Sequence, residues 1–238
     1  MASEKVYKFT DPAKPAKNLI VMLKIEIFFA VLGIFGILNS TRVLIGIKND
    51  DFSSEEEMLA VAERSDMIVL ILGLTQVLLA IIILIIFLRW MYRAAANNFA
   101  WGIENISQKP HWGWINYIIP FWFLFKPYQF LREIWNAVEF DKSNPAAWKN
   151  LPGPKCLKVY WICFIVGRVL DKTIRTMQKG KDLPIEKLIA LNNLSVLSSI
   201  IEITLGVALI MLVSGIMARQ LQYCRKLAGQ NCETELLQ

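Results

Sequence analysis

Charged side chains interrupt two apolar stretches in the second half of the chain. Arg168 and Asp171 lie in the first stretch, and Glu202 lies in the second. A charged group in hydrocarbon costs about 2.5–3.5 kcal/mol on insertion scales, so such residues tend to pair and often mark a function. We predict that Glu202 pairs with Arg168 beside a polar cavity for a small solute or ion. The alternative is that these charged residues only hold two helices together. The sequence alone favours this structural role.

Further polar residues precede Glu202 in the same stretch and recur at three-to-four spacing. Residues with this spacing share one face of a helix. Such a face should contact protein or water rather than lipid. The candidate intramembrane polar site therefore comprises Arg168, Asp171, Asn192, Ser195, Ser199 and Glu202.

The sequence contains no recognisable catalytic or metal site. HExxH, nucleophile-elbow, P-loop and GxGxxG patterns are missing. We therefore expect no catalytic residue and no cofactor, and the sequence favours a non-enzyme. For the single histidine, His111, a surface role is favoured over catalysis. The four cysteines lack CxxC spacing, which argues against zinc and a disulfide framework.

Long apolar runs determine the predicted fold. Hydrophobic residues make up 55% of the 238 residues, above the roughly 45–50% of soluble domains. A membrane-spanning helix needs about 20 such residues to cross about 30 Å of hydrocarbon. We predict an all-α integral membrane protein with four transmembrane helices, at about residues 19–47, 67–88, 157–177 and 188–217.

Aromatic residues crowd the segment between the second and third predicted spans. Its apolar core, from Trp112 to Phe125, is about 14 residues long, shorter than the roughly 17 that a crossing requires. Pro120 would kink a helix, whereas Pro127 suits the first turn of a new one. Rings with a polar edge are enriched at the membrane boundary. We predict a Pro-kinked aromatic re-entrant or interfacial segment at residues 112–140.

Side chains on both sides of this segment form a second candidate site, an interfacial network. We expect five of them to tie the second span to the surface helix: Arg93, Asn97, Tyr128, Gln129 and Glu133. The full set is Arg89, Trp90, Tyr92, Arg93, Asn97, Pro120, Pro127, Tyr128, Gln129, Glu133 and Trp135.

The distribution of charge predicts the topology. Residues 48–66 hold seven acidic and two basic residues and are expected to form a solvated external loop. The alternative is a short amphipathic turn of helix that includes Leu59 and Val61. Arg89 and Arg93 follow the second span, and Lys/Arg excess beside a span marks the cytoplasmic side. We therefore expect a cytoplasmic tail at 1–17, a single helical membrane domain at 18–220 and a cytoplasmic tail at 221–238.

The motif Trp90-x-Tyr92-Arg93-Ala94, with Asn97, Pro120, Pro127-Tyr128-Gln129 and Glu133-Ile134-Trp135, resembles a family of bacterial multi-pass membrane proteins known as a domain of unknown function. The likeness covers about residues 87–220. It departs at Lys109–Trp114, where the family usually has Pro-Gly-Trp, and at Phe123, where an Asn is common. The resemblance implies a bacterial inner-membrane protein and implies no activity.

Two functions follow from the sequence. The favoured one is a structural, regulatory or partner-binding membrane component, whose partners are the lipid bilayer and a protein or a second copy. The alternative is a small-solute or ion transporter that uses the polar site around Glu202 and Arg168. The net charge of +6 is dispersed at the ends of apolar runs, so we expect no nucleic-acid partner.

Overall fold

The computed structural model describes residues 7–119, 121–141, 143–179 and 183–235, with side chains of the last helix described up to residue 228. Within these ranges the chain is helical without strands, which confirms the all-α prediction. The helices are α1 (Ala13–Asn49), α2 (Glu55–Ala100), α3 (Trp112–Ile118), α4 (Lys126–Asn136), α5 (Lys155–Met177) and α6 (Ile185–Glu235). Short 3-10 helices lie at Trp122–Leu124, Ala137–Glu139 and Ala147–Asn150.

Three of the described helices are long and apolar enough to span a membrane: α1, α2 and the Ile185–Ala228 part of α6. The predicted count of four is therefore not confirmed. Helix α5 falls short because Arg168, Asp171 and neighbouring Lys172 leave no sufficiently uncharged window in its 23 residues.

Helix α2 contains the most apolar of these stretches. The predicted span at 67–88 lies inside it and would extend about 33 Å at about 1.5 Å per residue, close to the thickness of the hydrocarbon. Apolar side chains along this stretch are exposed, with Leu70 at 61% and Leu78 at 63%. The helix continues for twelve residues beyond the predicted span at each end.

The start of α2 corrects the prediction of a solvated loop at 48–66. Ser54 Oγ accepts the Glu57 backbone N–H at 3.2 Å, and the Glu57 carboxylate accepts the Ser53 backbone N–H at 3.1 Å. This arrangement is a variant of the capping box, and acidic residues in a first turn also interact favourably with the helix dipole. Residues 55–66 are therefore helix, and the connection from α1 is only residues 50–54.

The chain forms two compact units. Unit 1 contains Met1–Val21, Ile83–Lys158 and Ala208–Gln238, and unit 2 contains Met22–Ile82 and Val159–Val207. The two candidate sites fall in different units. The intramembrane polar residues belong to unit 2, and the interfacial residues belong to unit 1.

The aromatic segment of unit 1 forms short helices. Helices α3 and α4 have 7 and 11 residues, each too short to cross about 30 Å of hydrocarbon. Pro127 lies in the first turn of α4, which confirms its predicted position. The two helices pack closely, since a Cβ on Gly113 would lie 2.8 Å from the Phe130 ring. The interfacial location of the segment stays a prediction.

Candidate functional site

A cavity of about 210 Å³ lies between α5 and α6 in unit 2. Four polar side chains line it: Arg168 and Asp171 from α5, and Ser198 and Glu202 from α6. Three of these residues were predicted from the sequence as part of one polar site. The structure therefore brings half of the predicted set of six together around one space.

The contacts within the cavity differ from the predicted ion pair. Ser198 Oγ donates to Asp171 Oδ1 at 3.4 Å, and the Arg168 guanidinium lies over the Phe164 ring at 5.4 Å. Among the described residues no ion pair joins Arg168 to Glu202. The guanidinium is instead held by a cation–π contact, which is available to Arg in apolar surroundings.

Glu26 of α1 adds a third carboxyl to this site. Its side chain is only 8% exposed, and neither carboxyl oxygen accepts a hydrogen bond from an N–H or hydroxyl donor among the described residues. The carboxyl nonetheless interacts with that of Glu202, which in turn interacts electrostatically with Asp171. Three acidic side chains from three helices therefore influence one another, with Arg168 as the cation on the same cavity.

These carboxyls are close enough to interact but do not form a coordination shell. Among the described residues, no group of three or more His, Cys, Asp or Glu side chains is arranged to hold a metal ion. The geometry therefore favours ligands that one or two carboxyls can bind.

Unit 1 contains a separate polar network around the buried Asn97 of α2. The Asn97 side chain is 1% exposed and bonds to both backbone groups of Thr10. Its Oδ1 accepts the Thr10 N–H at 3.0 Å, and its Nδ2 donates to the Thr10 carbonyl at 2.9 Å. Arg93 donates to the Thr10 hydroxyl at 3.1 Å. The amide of Asn97 thus holds the segment that precedes α1.

Gln220 of α6 extends this network and is 0% exposed. Its Oε1 accepts from Asn97 Nδ2 at 3.4 Å. Its Nε2 donates to the Ala94 carbonyl at 2.8 Å and to Asn98 Oδ1 at 3.2 Å. Three segments of unit 1 that are distant in sequence are therefore joined through amide groups. Buried polar groups are almost always paired in this way, because an unpaired group costs about 1–3 kcal/mol.

A family model described as a domain of unknown function, DUF4328, matches residues 54–218, which are 165 of the 238 residues. The chain belongs to the DUF4328 family. This confirms the resemblance to an uncharacterised family. No curated protein and no solved structure matches the chain.

The match includes some parts of both sites and excludes others. It covers the cavity residues of α5 and α6, and it covers Asn97. It does not reach Glu26, Thr10 or Gln220. In this DUF4328 protein, therefore, the matched region holds only part of each polar arrangement.

The other predicted residues of the intramembrane site do not line the cavity of the DUF4328 protein. Asn192 Nδ2 donates to Ser40 Oγ at 3.3 Å and to Thr41 Oγ1 at 3.1 Å. The hydroxyls of Ser195 and Ser199 donate to backbone carbonyls four residues earlier, at 2.9 and 3.1 Å. These bonds satisfy the donors of the three side chains within and between helices.

The face of α1 that carries Glu26 packs in unit 2 through small and polar residues. Gln76 Nε2 of α2 donates to the Phe29 carbonyl at 3.2 Å. A Cβ on Gly33 would lie 2.9 Å from that Gln76 nitrogen, so the missing side chain admits the amide. Small residues allow such close approach between membrane helices.

Glu133 and Trp135 make contacts outside the Asn97 network. Glu133 accepts the Ser107 backbone N–H at 3.3 Å. The Arg219 guanidinium lies over the Trp135 ring at 4.9 Å, and its Nε donates to the Trp135 carbonyl at 3.2 Å. Arg219 also pairs with Glu139 at 2.6 Å. The predicted network is thus divided among three sets of contacts in unit 1.

The remaining interfacial candidates vary in exposure. Trp90 and Pro127 are buried, and the Trp90 indole N–H has no hydrogen-bond partner. The half-buried members are Tyr92 and Tyr128, and the exposed members are Arg89, Arg93 and Gln129. Pro120 lies outside the residues that the structure describes.

Sequence reasoning missed Thr10, Gln220 and Glu26 as site residues. Thr10 takes part mainly through its backbone, for which a sequence carries no signal. Gln220 and Glu26 do carry one, since each is a polar residue within a long apolar helix. Glu26 shares a helical face with Ala30 and Gly33, a pattern that favours helix packing over a ligand path.

Proposed function

We propose that this DUF4328 protein is a multi-pass protein of a bacterial inner membrane that moves a small ion through the cavity of unit 2. The observation that carries the proposal is the Glu26 carboxyl, which is 8% exposed and accepts no hydrogen bond from an N–H or hydroxyl donor among the described residues. A carboxyl with a purely structural role would be expected to have partners for both oxygens. An ion-binding carboxyl instead keeps its oxygens available.

Four spans are part of this proposal, with α5 as the third. The exposed apolar side chains Ile162, Val166 and Val169 recur at three-to-four spacing along α5, whereas Arg168 and Asp171 line the cavity. Mean hydropathy averages over the whole circumference of a helix, so it undervalues a span with one polar face. The 23 residues of α5 would extend about 34 Å, enough to cross the hydrocarbon.

Both termini lie in the cytoplasm in the proposed topology, and residues 112–140 lie at the cytoplasmic boundary. Single cysteines at positions 55, 145 and 180 of a cysteine-free variant would test it, using a membrane-impermeant maleimide on intact spheroplasts. We expect labelling at 55 and 180 and protection at 145. Labelling at 145 from outside would invert the topology from that point onward.

Ion movement can be measured with purified protein in liposomes. An imposed potassium diffusion potential would drive flux, and trapped dyes would report protons and sodium. We expect flux above that of protein-free liposomes, and we expect Glu202→Gln to abolish it because Glu202 lines the cavity. The matched control is Glu63→Gln, which removes an exposed carboxyl from α2. Flux that survives Glu202→Gln would refute the proposal.

Cys163 provides a second, independent test because it also lines the cavity. A small charged thiol reagent that reaches Cys163 should block flux, and Cys163→Ala should remove the block. Cys156 is half-buried and belongs to unit 1, so Cys156→Ala should leave the block unchanged. Equal inhibition of all three proteins would show that the reagent acts elsewhere.

A structural or partner-binding role, which the sequence favoured, remains the second candidate. One observation supports it: aromatic and aliphatic side chains of the short helices in unit 1 are exposed, with Ile118 at 68%, Phe121 at 79% and Phe125 at 65%. Exposed apolar patches mark contacts with lipid or protein. If this role is the main one, replacing Phe121 and Phe125 by Ser should dissociate a complex in mild detergent without affecting flux.

A further inference from the structure

The charges around the unit 2 cavity do not balance when every group is ionised. Glu26 of α1, Asp171 of α5 and Glu202 of α6 would contribute three negative charges, and Arg168 of α5 is the one positive side chain on the cavity lining. From α2, the neutral Gln76 packs on α1 one turn beyond Glu26. Net negative charge in apolar surroundings is costly, so the site must bind a positive charge.

A calcium ion fits this requirement poorly. Ca²⁺ takes six to eight oxygen ligands, several of them from carboxylates. No three acidic, Cys or His side chains among the described residues converge in that manner. A proton needs only one carboxyl, and two adjacent carboxyls can share it because they cannot readily ionise together.

The two carboxyls have unequal access to the cavity. Glu202 is exposed and lines it, whereas Glu26 is nine-tenths buried and does not. Helices α1 and α6 approach closely at this level, since a Cβ on Gly206, one turn beyond Glu202, would lie 3.1 Å from the side chain of Ile27, the residue after Glu26. The carboxyl that interacts with Glu26 is that of Glu202. A proton from the cavity would therefore reach Glu26 through Glu202.

We propose that Glu26 and Glu202 hold one proton between them, and that the ion bound by this cavity is a proton, with Glu202 passing it to and from Glu26. Binding converts one carboxylate of the pair to a carboxylic acid, and release returns that proton to the cavity. This inference rests on the proposed transport function and specifies that the ion it moves is a proton.

Infrared spectroscopy of the protein in lipid nanodiscs tests the shared proton without a transport assay. A protonated carboxyl gives a carbonyl band that a carboxylate lacks. We expect this band at neutral pH in the wild type, and we expect its loss in Glu26→Gln, because the variant removes the buried carboxyl of the pair and leaves Glu202 without the carboxyl that shares its proton. Glu202→Gln should keep the band but slow its shift in deuterium oxide. Glu63→Gln should behave as the wild type.

Carbodiimide labelling provides a measurement that needs no variant, since the reagent modifies protonated carboxyls in apolar surroundings. Mass spectrometry of the labelled wild type should find the adduct on Glu26 or Glu202. Sodium, potassium or magnesium should not reduce the labelling.

The outcomes separate this inference from the proposed function. A missing band, or labelling that sodium, potassium or magnesium suppresses, would overturn the proton inference while leaving ion flux to be judged by the liposome assay. A shared proton without any flux would refute the transport proposal and retain the proton site.

Discussion

Gln220→Leu should markedly destabilise unit 1. The replacement keeps the approximate volume of a side chain that is 0% exposed, but it removes three hydrogen bonds, to Asn97, Ala94 and Asn98. Asn98 is 3% exposed, so its Oδ1 becomes a buried acceptor that has lost the Gln220 donor. An unpaired buried group costs about 1–3 kcal/mol, and each other neutral bond contributes about 0.5–1.5 kcal/mol.

The expected loss is therefore about 2–4 kcal/mol after the gain from burying the apolar Leu side chain. For a chain of this length, each kcal/mol lowers Tm by about 2–4 °C, so Tm should fall by roughly 4–16 °C. Intrinsic fluorescence in detergent would follow unfolding, because the Trp101 ring lies 5.0 Å from that of Tyr223 within unit 1.

Gln222→Leu is the matched control for this experiment. It makes the same chemical change two residues further along α6, at an exposed position. Adding Asn98→Ala to Gln220→Leu should recover part of the loss, since the unpaired acceptor is removed, with a coupling energy of about 0.5–3 kcal/mol. A Tm for Gln220→Leu within about 2 °C of the control would refute the buried network.

Two further variants test packing and helix capping. Gly215→Ala should destabilise the protein by about 1–3 kcal/mol, because a Cβ there would lie 2.6 Å from Trp135 Cη2. Gly73→Ala should stabilise it slightly, because a Cβ there would have nothing within 4 Å. Thermal unfolding compares the two variants, and equal Tm values would contradict the contact with Trp135. Ser54→Ala should destabilise the start of α2 by about 1 kcal/mol and speed amide hydrogen exchange at residues 56–58. Ser53→Ala should change neither, because Ser53 takes part only through its backbone N–H. Equal exchange rates in the two variants would exclude the Ser54 cap.

The helical class and the three apolar spans could be predicted because they depend on long, local patterns. Pro127 could be placed for the same reason, since its effect on a helix is confined to one turn. The extension of α2 to Glu55 was missed although Ser54 and Glu57 carry a capping signal. Seven acidic residues between 48 and 66 suggested a loop, but three of them lie in a first helical turn.

The partners of the polar residues could not be predicted. Asn97 bonds to Thr10 and Gln220, which are 87 and 123 residues away in sequence. The positions of apolar runs in a sequence do not determine which helix faces contact each other when the helices are so far apart in the chain. The same limit explains Arg168, whose charge suggested a carboxylate partner while its position on α5 places it over Phe164, one turn earlier.

The bonds between Thr10 and Asn97 have a consequence for how the chain can be shortened. Because the Asn97 amide bonds to the main chain of Thr10, a proline at position 10 would lose one of these bonds, since proline lacks the N–H. A protein trimmed to begin at Ala13 would retain all six α-helices. It would nevertheless leave the buried side-chain amide of Asn97 without the Thr10 backbone groups to which it bonds. The stability of unit 1 therefore depends in part on Thr10 before α1, although this residue belongs to no helix.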